Sequence, residues 1–144
     1  GAVGLARALE LALEEQVDFA RTREPLRDRL QARLAQTIPG LRIHGLEGVR
    51  APHILNVGIP DLEAELLHIS LDLEGLAVSG GSACQSSSTE GSHVVQALMG
   101  DDAFPAAVRF SLGRTTTLDE VDQAAEITVR VVQRLQPALG ARGT

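Results

Sequence analysis

Apolar residues recur at helical spacing over residues 2–36: Val3, Leu5, Leu9, Leu13 and Val17, then Leu26, Leu30 and Leu34, with Arg and Glu between them. This predicts a long amphipathic helix. Pro25 interrupts it, either as a kink or as the start of a second helix capped by Thr22, and Ile38-Pro39-Gly40 should end it. Two short strands are expected at 41–44 and 54–59, around a glycine-containing loop with Arg50, Pro52 and His53. Pro60 and Asp61 open a helix over 62–73, with Leu62, Leu66, Ile69 and Leu73 on one face, and 76–78 reads as a third brief strand.

The pattern then changes. Residues 79–90 read SGGSACQSSSTE, with no large apolar side chain, which is the composition of a mobile surface loop. A short helix is expected over 92–99. Residues 107–112 (AVRFSL) alternate as a strand with Val108, Phe110 and Leu112 inward and Arg109 and Ser111 on the other face. Thr117 and Glu120 form a T-x-x-E capping box ahead of Val121, Ala124, Ala125, Thr128, Val131, Val132 and Leu135, and Pro137 should end that helix, with fraying after Gly140. There is no internal repeat. The elements fit a small layered α/β domain whose mixed or antiparallel sheet is covered by helices.

Composition narrows the function. A length of 144 residues with 44% hydrophobic content suits one core, and with three Phe and no Trp or Tyr that core must come from Leu, Val, Ile and Ala. A net charge of −6 argues against nucleic acid as a partner. No apolar run reaches bilayer length and no targeting segment is evident, so a cytoplasmic, membrane-free protein is expected. All 13 basic side chains are Arg, so the chain has no lysine.

Cys84 is the single cysteine and sits within the Gly/Ser loop, where nothing apolar is at hand to bury it. Such a thiol is either a packing residue or a reactive group, and this position favours reactivity. A reactive thiolate would need a cation or helix N-terminus nearby, and the helix start at Ser92 and Arg109 are the nearest candidates in sequence. Cys84 and His93 do not supply the four ligands of structural zinc, so no metal is expected. Neither a phosphate-binding G-x-x-x-x-G-K-[ST] nor a nucleophile-elbow G-x-S-x-G occurs. His44, His53 and His68 read as loop or helix-surface residues, and Arg114 as a surface ion-pair partner or a support for the loop.

The run Ala77-Val78-Ser79-Gly80-Gly81-Ser82-Ala83-Cys84, followed by Glu90, Ser92-His93-Val94-Val95 and Ala97-Leu98, resembles the active-site loop of NifS/IscS-type cysteine desulfurases. Val108-Arg109-Phe110-Ser111-Leu112-Gly113-Arg114 is similar to that family's carboxylate-binding strand, and Thr116-Thr117 with Glu120-Val121-Asp122 to its last helix. Arg50, Pro52, Ile54-Leu55-Asn56-Val57, Leu71-Asp72 and Gly75 match in order and spacing.

The resemblance implies a class-V aminotransferase of pyridoxal-phosphate fold type I, a homodimer in its full-length form. Residues 1–36 would be the helix joining a large cofactor domain to the small C-terminal domain at 37–144, which carries the loop at 79–90. It implies that sulfur is taken from L-cysteine to leave L-alanine and a persulfide on Cys84, for an acceptor or iron–sulfur scaffold protein, with Arg109 holding the substrate carboxylate. Pyridoxal 5'-phosphate is the implied cofactor. Its lysine and most of its other contacts are expected upstream of Gly1, so no cofactor-binding residue is assigned here and this chain alone should be inert. Glu90-Gly91 replaces the commoner Glu-Pro, Ser79-Gly80-Gly81 replaces Ser-Ser-Gly, and a scaffold-docking C-terminal extension is expected to be absent. The alternative is a stand-alone α/β sulfur-carrier or interaction module in which Cys84 carries a persulfide made elsewhere.

Overall fold

A computed structural model describes residues 1–80 and 106–140. Helix α1 spans Ala2–Thr37 without a break. Pro25 lies inside it, so of the two alternatives expected there, the start of a second helix is not found. A proline in mid-helix forgoes one bond, here to the Arg21 carbonyl, which the rest of a 36-residue ladder tolerates. Thr22 does not cap a second helix; its hydroxyl donates to the carbonyls of Asp18 and Phe19 at 2.7 and 3.2 Å. Burial divides α1 in two. Leu30 and Leu34 are in the core, whereas Val3, Leu5, Leu9, Leu13 and Val17 are exposed.

The helix ends where Ile38 turns extended with its N–H on the Leu34 carbonyl, and Gly40 follows at φ 72°, a backbone state that glycine adopts without strain. Strands β1 (Arg42–Ile43), β2 (Ile54–Gly58) and β3 (Ala107–Ser111) form an antiparallel sheet in that order. Leu55 pairs with Phe110 and Val57 with Val108, all buried, so one face of the sheet is apolar. The opposite face carries Asn56 and Arg109, which pair with each other, together with Ser111. The expected strand at 76–78 is absent. Extended pairing is confined to one bridge, Ser79 with Arg109.

Helix α2 (Ala64–Leu73) buries Leu67, Ser70 and Leu71 and leaves Leu66, Ile69 and Leu73 exposed. The apolar residues Leu66, Ile69 and Leu73 grouped from the sequence are thus not the ones that pack on the core. Leu62 is buried, but it precedes the extended residue Glu63 that starts the helix, so it does not set the helical phase. Helix α3 (Leu118–Gly140) starts at the expected capping box: the Glu120 N–H donates to Thr117 Oγ1 at 3.3 Å, and Glu120 Oε2 accepts from the Thr117 N–H at 2.7 Å. The Thr117 backbone bond holds the Glu120 carboxyl below its ordinary value. The helix runs past Pro137 to Gly140, where the sequence pattern places an end.

Val121, Ala125, Val131 and Val132 of α3 join Leu30, Leu34, Leu55, Val57, Leu67, Leu71, Val108 and Phe110 in one core between the helices and the sheet. Charges line the seams. Asp122 accepts from Arg29 at 2.7 and 2.8 Å and pairs with Arg33 at 2.9 Å, and Glu74 of the α2 end binds Arg130 and Arg134. These bonds hold the Asp122 carboxyl well below the usual carboxylate range and lower Glu74 as well.

A carboxylate depressed in the folded state stabilises at pH values above its unfolded value of about 4, and that contribution fades as pH falls. Asp122→Asn should therefore be less stable than the parent near neutrality, with the gap narrowing progressively as pH falls below about 5. Urea unfolding at stepped pH measures it. A gap independent of pH would remove the ion pair as its cause.

Candidate active site

Arg109 and Ser79 exchange both backbone bonds, at 2.7 and 3.2 Å. Amide and carbonyl of one strand residue point the same way, so Arg109 spends both on Ser79 and none on β2. Asn56 in turn gives its carbonyl to the His44 N–H at 2.9 Å, toward β1. The Asn56–Arg109 pair is consequently of the type without mutual backbone bonds, which brings side chains closest, with Cα atoms about 4.5 Å apart. A row His44–Asn56–Arg109–Ser79 crosses the open face of the sheet.

Each member of the row has a distinct state. His44 is buried, with Nδ1 2.9 Å from Asn56 Oδ1; an amide oxygen only accepts, so Nδ1 carries the proton. Its Nε2 is buried without a hydrogen-bond partner among the described residues. Arg109 is exposed and, among the described residues, its guanidinium makes no hydrogen bond or ion pair. Ser79 begins the loop expected to hold the nucleophile. Cys84 and the expected helix at 92–99 lie outside the described residues.

A second support was not anticipated. His68 of α2 donates from Nε2 to the Ala107 carbonyl at 3.0 Å, tying α2 to the strand that carries Arg109. The same ring lies against the backbone of Gly80, where an added Cβ would overlap the ring Cε1. Gly80 is therefore a point of close approach between helix and loop start. None of the three histidines is a simple surface residue: His53 packs its ring edge-on to Phe19 at 5.1 Å, and its Nδ1 is buried without a partner among the described residues. Arg114 proves to be an ion-pair residue, 2.7 Å from Glu15.

The loop ahead of β2 is pinned from α1. Arg27, only 4% exposed, donates to the Ala51 carbonyl at 3.2 Å; burial opposes its charge, but hydrogen bonds to Asp28 and Glu24 hold its pKa above the ordinary value. Arg50 reaches Gln31 at 2.8 Å. Surface clefts between α1 and α3, and between α1 and Arg114, do not include Arg109. Among the described residues no group of acidic, His or Cys side chains could hold a metal, and no helix is long and apolar enough to cross a membrane. With no lysine in the chain, no side-chain amine is present to attach pyridoxal phosphate, so the residues here do not fit that cofactor as its holders.

Gly80→Ala should displace the His68 ring from the Ala107 carbonyl and cost roughly 1–3 kcal/mol in chemical denaturation. Combined with His68→Ala the second loss should be smaller than either alone implies, because both act on one contact. Full additivity would show that the two do not touch in solution.

The description "Aminotransferase class-V" fits residues 1–124. The chain is 36% identical over 137 residues to a protein named cysteine desulfurase from Trichormus azollae, covering 94% of this chain and 34% of that one. It is 39% identical over 137 residues to one named cysteine desulfurase IscS from Methanosarcina thermophila, with the same coverage. A solved structure titled NifS-like protein superposes with a TM-score of 0.77 at 30% identity, again over 94% of this chain and 34% of the other. The chain thus spans about a third of the length of the curated relatives it matches. The helices over a three-stranded antiparallel sheet match the fold-type I architecture of that NifS-like structure over the part covered. The chain belongs to the class-V aminotransferase family and corresponds to part of a chain of the NifS/IscS type.

Proposed function

We propose that this chain supplies the sulfur-accepting thiol, Cys84, and the substrate-anchoring cation, Arg109, of a cysteine desulfurase that converts L-cysteine to L-alanine. The observation that carries the reading is the pairing of Arg109 with Ser79: the strand bearing a guanidinium uncommitted among the described residues is joined through its backbone to the first residue of the loop that holds Cys84 five residues on. A planar guanidinium suits the α-carboxylate of an amino acid, which it can engage through two parallel bonds.

In the proposed transfer the Cys84 thiolate attacks the substrate sulfur. An S–S bond forms as the substrate Cβ–S bond breaks, and the electron pair left on carbon takes up a proton, so that cysteine becomes alanine and the enzyme holds a persulfide. Pyridoxal phosphate, held by residues outside this chain, supplies the electron sink for that cleavage. The small domain contributes position and the nucleophile. Homologues named cysteine desulfurase and IscS support the reading, as does the match of the loop and strand motifs. The persulfide then passes to an acceptor, such as an iron–sulfur scaffold protein, in a cytoplasmic homodimer in which residues 1–36 link this small domain to the cofactor domain.

The isolated chain should show no absorbance from bound cofactor and release no sulfide from cysteine, and cofactor absorbance that survives dialysis would contradict this. In the complete enzyme, Cys84→Ala should abolish sulfur transfer yet still bind cysteine. Arg109→Ala should keep an alkylatable thiol but lose roughly 30- to 1,000-fold in kcat/KM, the equivalent of about 2–4 kcal/mol. Turnover retained by Cys84→Ala would show that the sulfur is accepted elsewhere, and an unchanged KM in Arg109→Ala would move the anchor to another cation.

A further inference from the structure

We infer that Asn56 is a second anion-binding group beside Arg109, its amide fixed by His44, so that the substrate carboxylate is held by two side chains from adjacent strands. The inference rests on the reading of Arg109 as carboxylate anchor and adds a specificity-determining residue to it.

Backbone geometry places the pair. Asn56 and Arg109 stand opposite each other without mutual backbone bonds, the cross-strand arrangement in which side chains approach most closely, and both lie on the open face of the sheet. Hydrogen-bond chemistry then assigns the roles. The Asn56 Oδ1 accepts from His44 Nδ1, which leaves the Asn56 Nδ2 with two hydrogens that have no partner among the described residues. A guanidinium has donors only. Asn56 and Arg109 therefore offer an all-donor surface, which repels a cation and suits a carboxylate.

His44 meets Asn56 at two points. It is 5% exposed, and its backbone N–H and side-chain Nδ1 both bond to Asn56, one to the carbonyl and the other to Oδ1. His44 acts through Asn56 and is a positioning residue; Asn56 is the one that touches the carboxylate.

The test uses the complete enzyme and two probes: L-cysteine as substrate, and cysteamine, the same molecule without its carboxylate, as competitive inhibitor. Asn56→Ala should raise the KM for cysteine about 10- to 100-fold with kcat changed less than about 3-fold, and leave the cysteamine inhibition constant unaltered. Asn56→Asp keeps the shape and the His44 bond but replaces the donor with an acceptor that pairs with Arg109. It should lose discrimination at least as strongly, and it carries the test if the alanine variant does not fold. Arg109→Ala is measured alongside. If it collapses the preference for cysteine over cysteamine while both Asn56 variants leave it intact, the inference about Asn56 is wrong and the anchor stands. If neither Arg109 nor Asn56 affects the preference, the reading of the anchor itself has failed. Equal weakening of both probes by the Asn56 variants would assign Asn56 a structural role and overturn the inference.

Discussion

The pairing of β2 with β3 sets what lies on each side of the sheet. Side chains alternate along a strand, so one register decides that Leu55, Val57, Val108 and Phe110 meet the helices and that Asn56, Arg109 and Ser111 meet the open side. A slip by one residue would drive a guanidinium into the core and expose its apolar floor, so the packing energy of the core and the placement of Arg109 are secured by the same constraint. The bridge to Ser79 extends that constraint to the start of the loop, since a residue paired through both backbone bonds is tied directly to the strand.

The helices reinforce the sheet through two kinds of contact. Leu30 and Leu34 of α1 and Val131 and Val132 of α3 fill the interior, and the rim is laced by Arg29 and Arg33 on Asp122 and by Arg130 and Arg134 on Glu74. Exposed pairs of this kind contribute little singly, but each of the two carboxylates collects two guanidiniums, and both pKa values are depressed accordingly. With no lysine available, every cationic side chain at these seams is a fork-shaped donor able to bridge helices.

Elements marked by a periodic pattern or a local cap were legible in the sequence: α1, the alternation around Arg109, and the capping box of α3. The errors have physical causes. Pro25 reads as a kink or a new helix start and Pro137 as a helix end because proline opposes helix locally, yet both lie inside helices, and Pro25 sits just ahead of the buried segment at Arg27, Leu30 and Leu34. Leu62 groups with Leu66, Ile69 and Leu73 only when it is counted into a helix that in fact starts after Glu63. The strand expected at 76–78 reduces to a single bridge. Within the site, alternation puts Arg109 on the outward face of its strand, but Asn56 gains meaning from a partner 53 positions away that pairing alone reveals. His68 and Gly80 meet across a helix and a loop start with no shared motif, and the contact of His44 with Asn56 follows from strand pairing rather than from any local pattern.

Helix α1 is continuous in its hydrogen bonds but not in its surroundings. Residues 1–10 and 12–14 are all exposed; tertiary anchoring starts at Glu15 with Arg114, continues at Phe19 against His53 and at Arg23 on the carbonyls of Gly113 and Thr116, and becomes burial at Arg27. A stretch of about a dozen residues without packing is close to the limit at which a helix in water holds itself together. The two ends of this one element therefore belong to different cooperative units: amides beyond Arg27 open only with the core, whereas those before Glu15 open by local unwinding. What would join the two into one unit is a surface that covers Val3, Leu5, Leu9 and Leu13, so the protection of the first turns against hydrogen exchange reports directly on whether such a surface is in place.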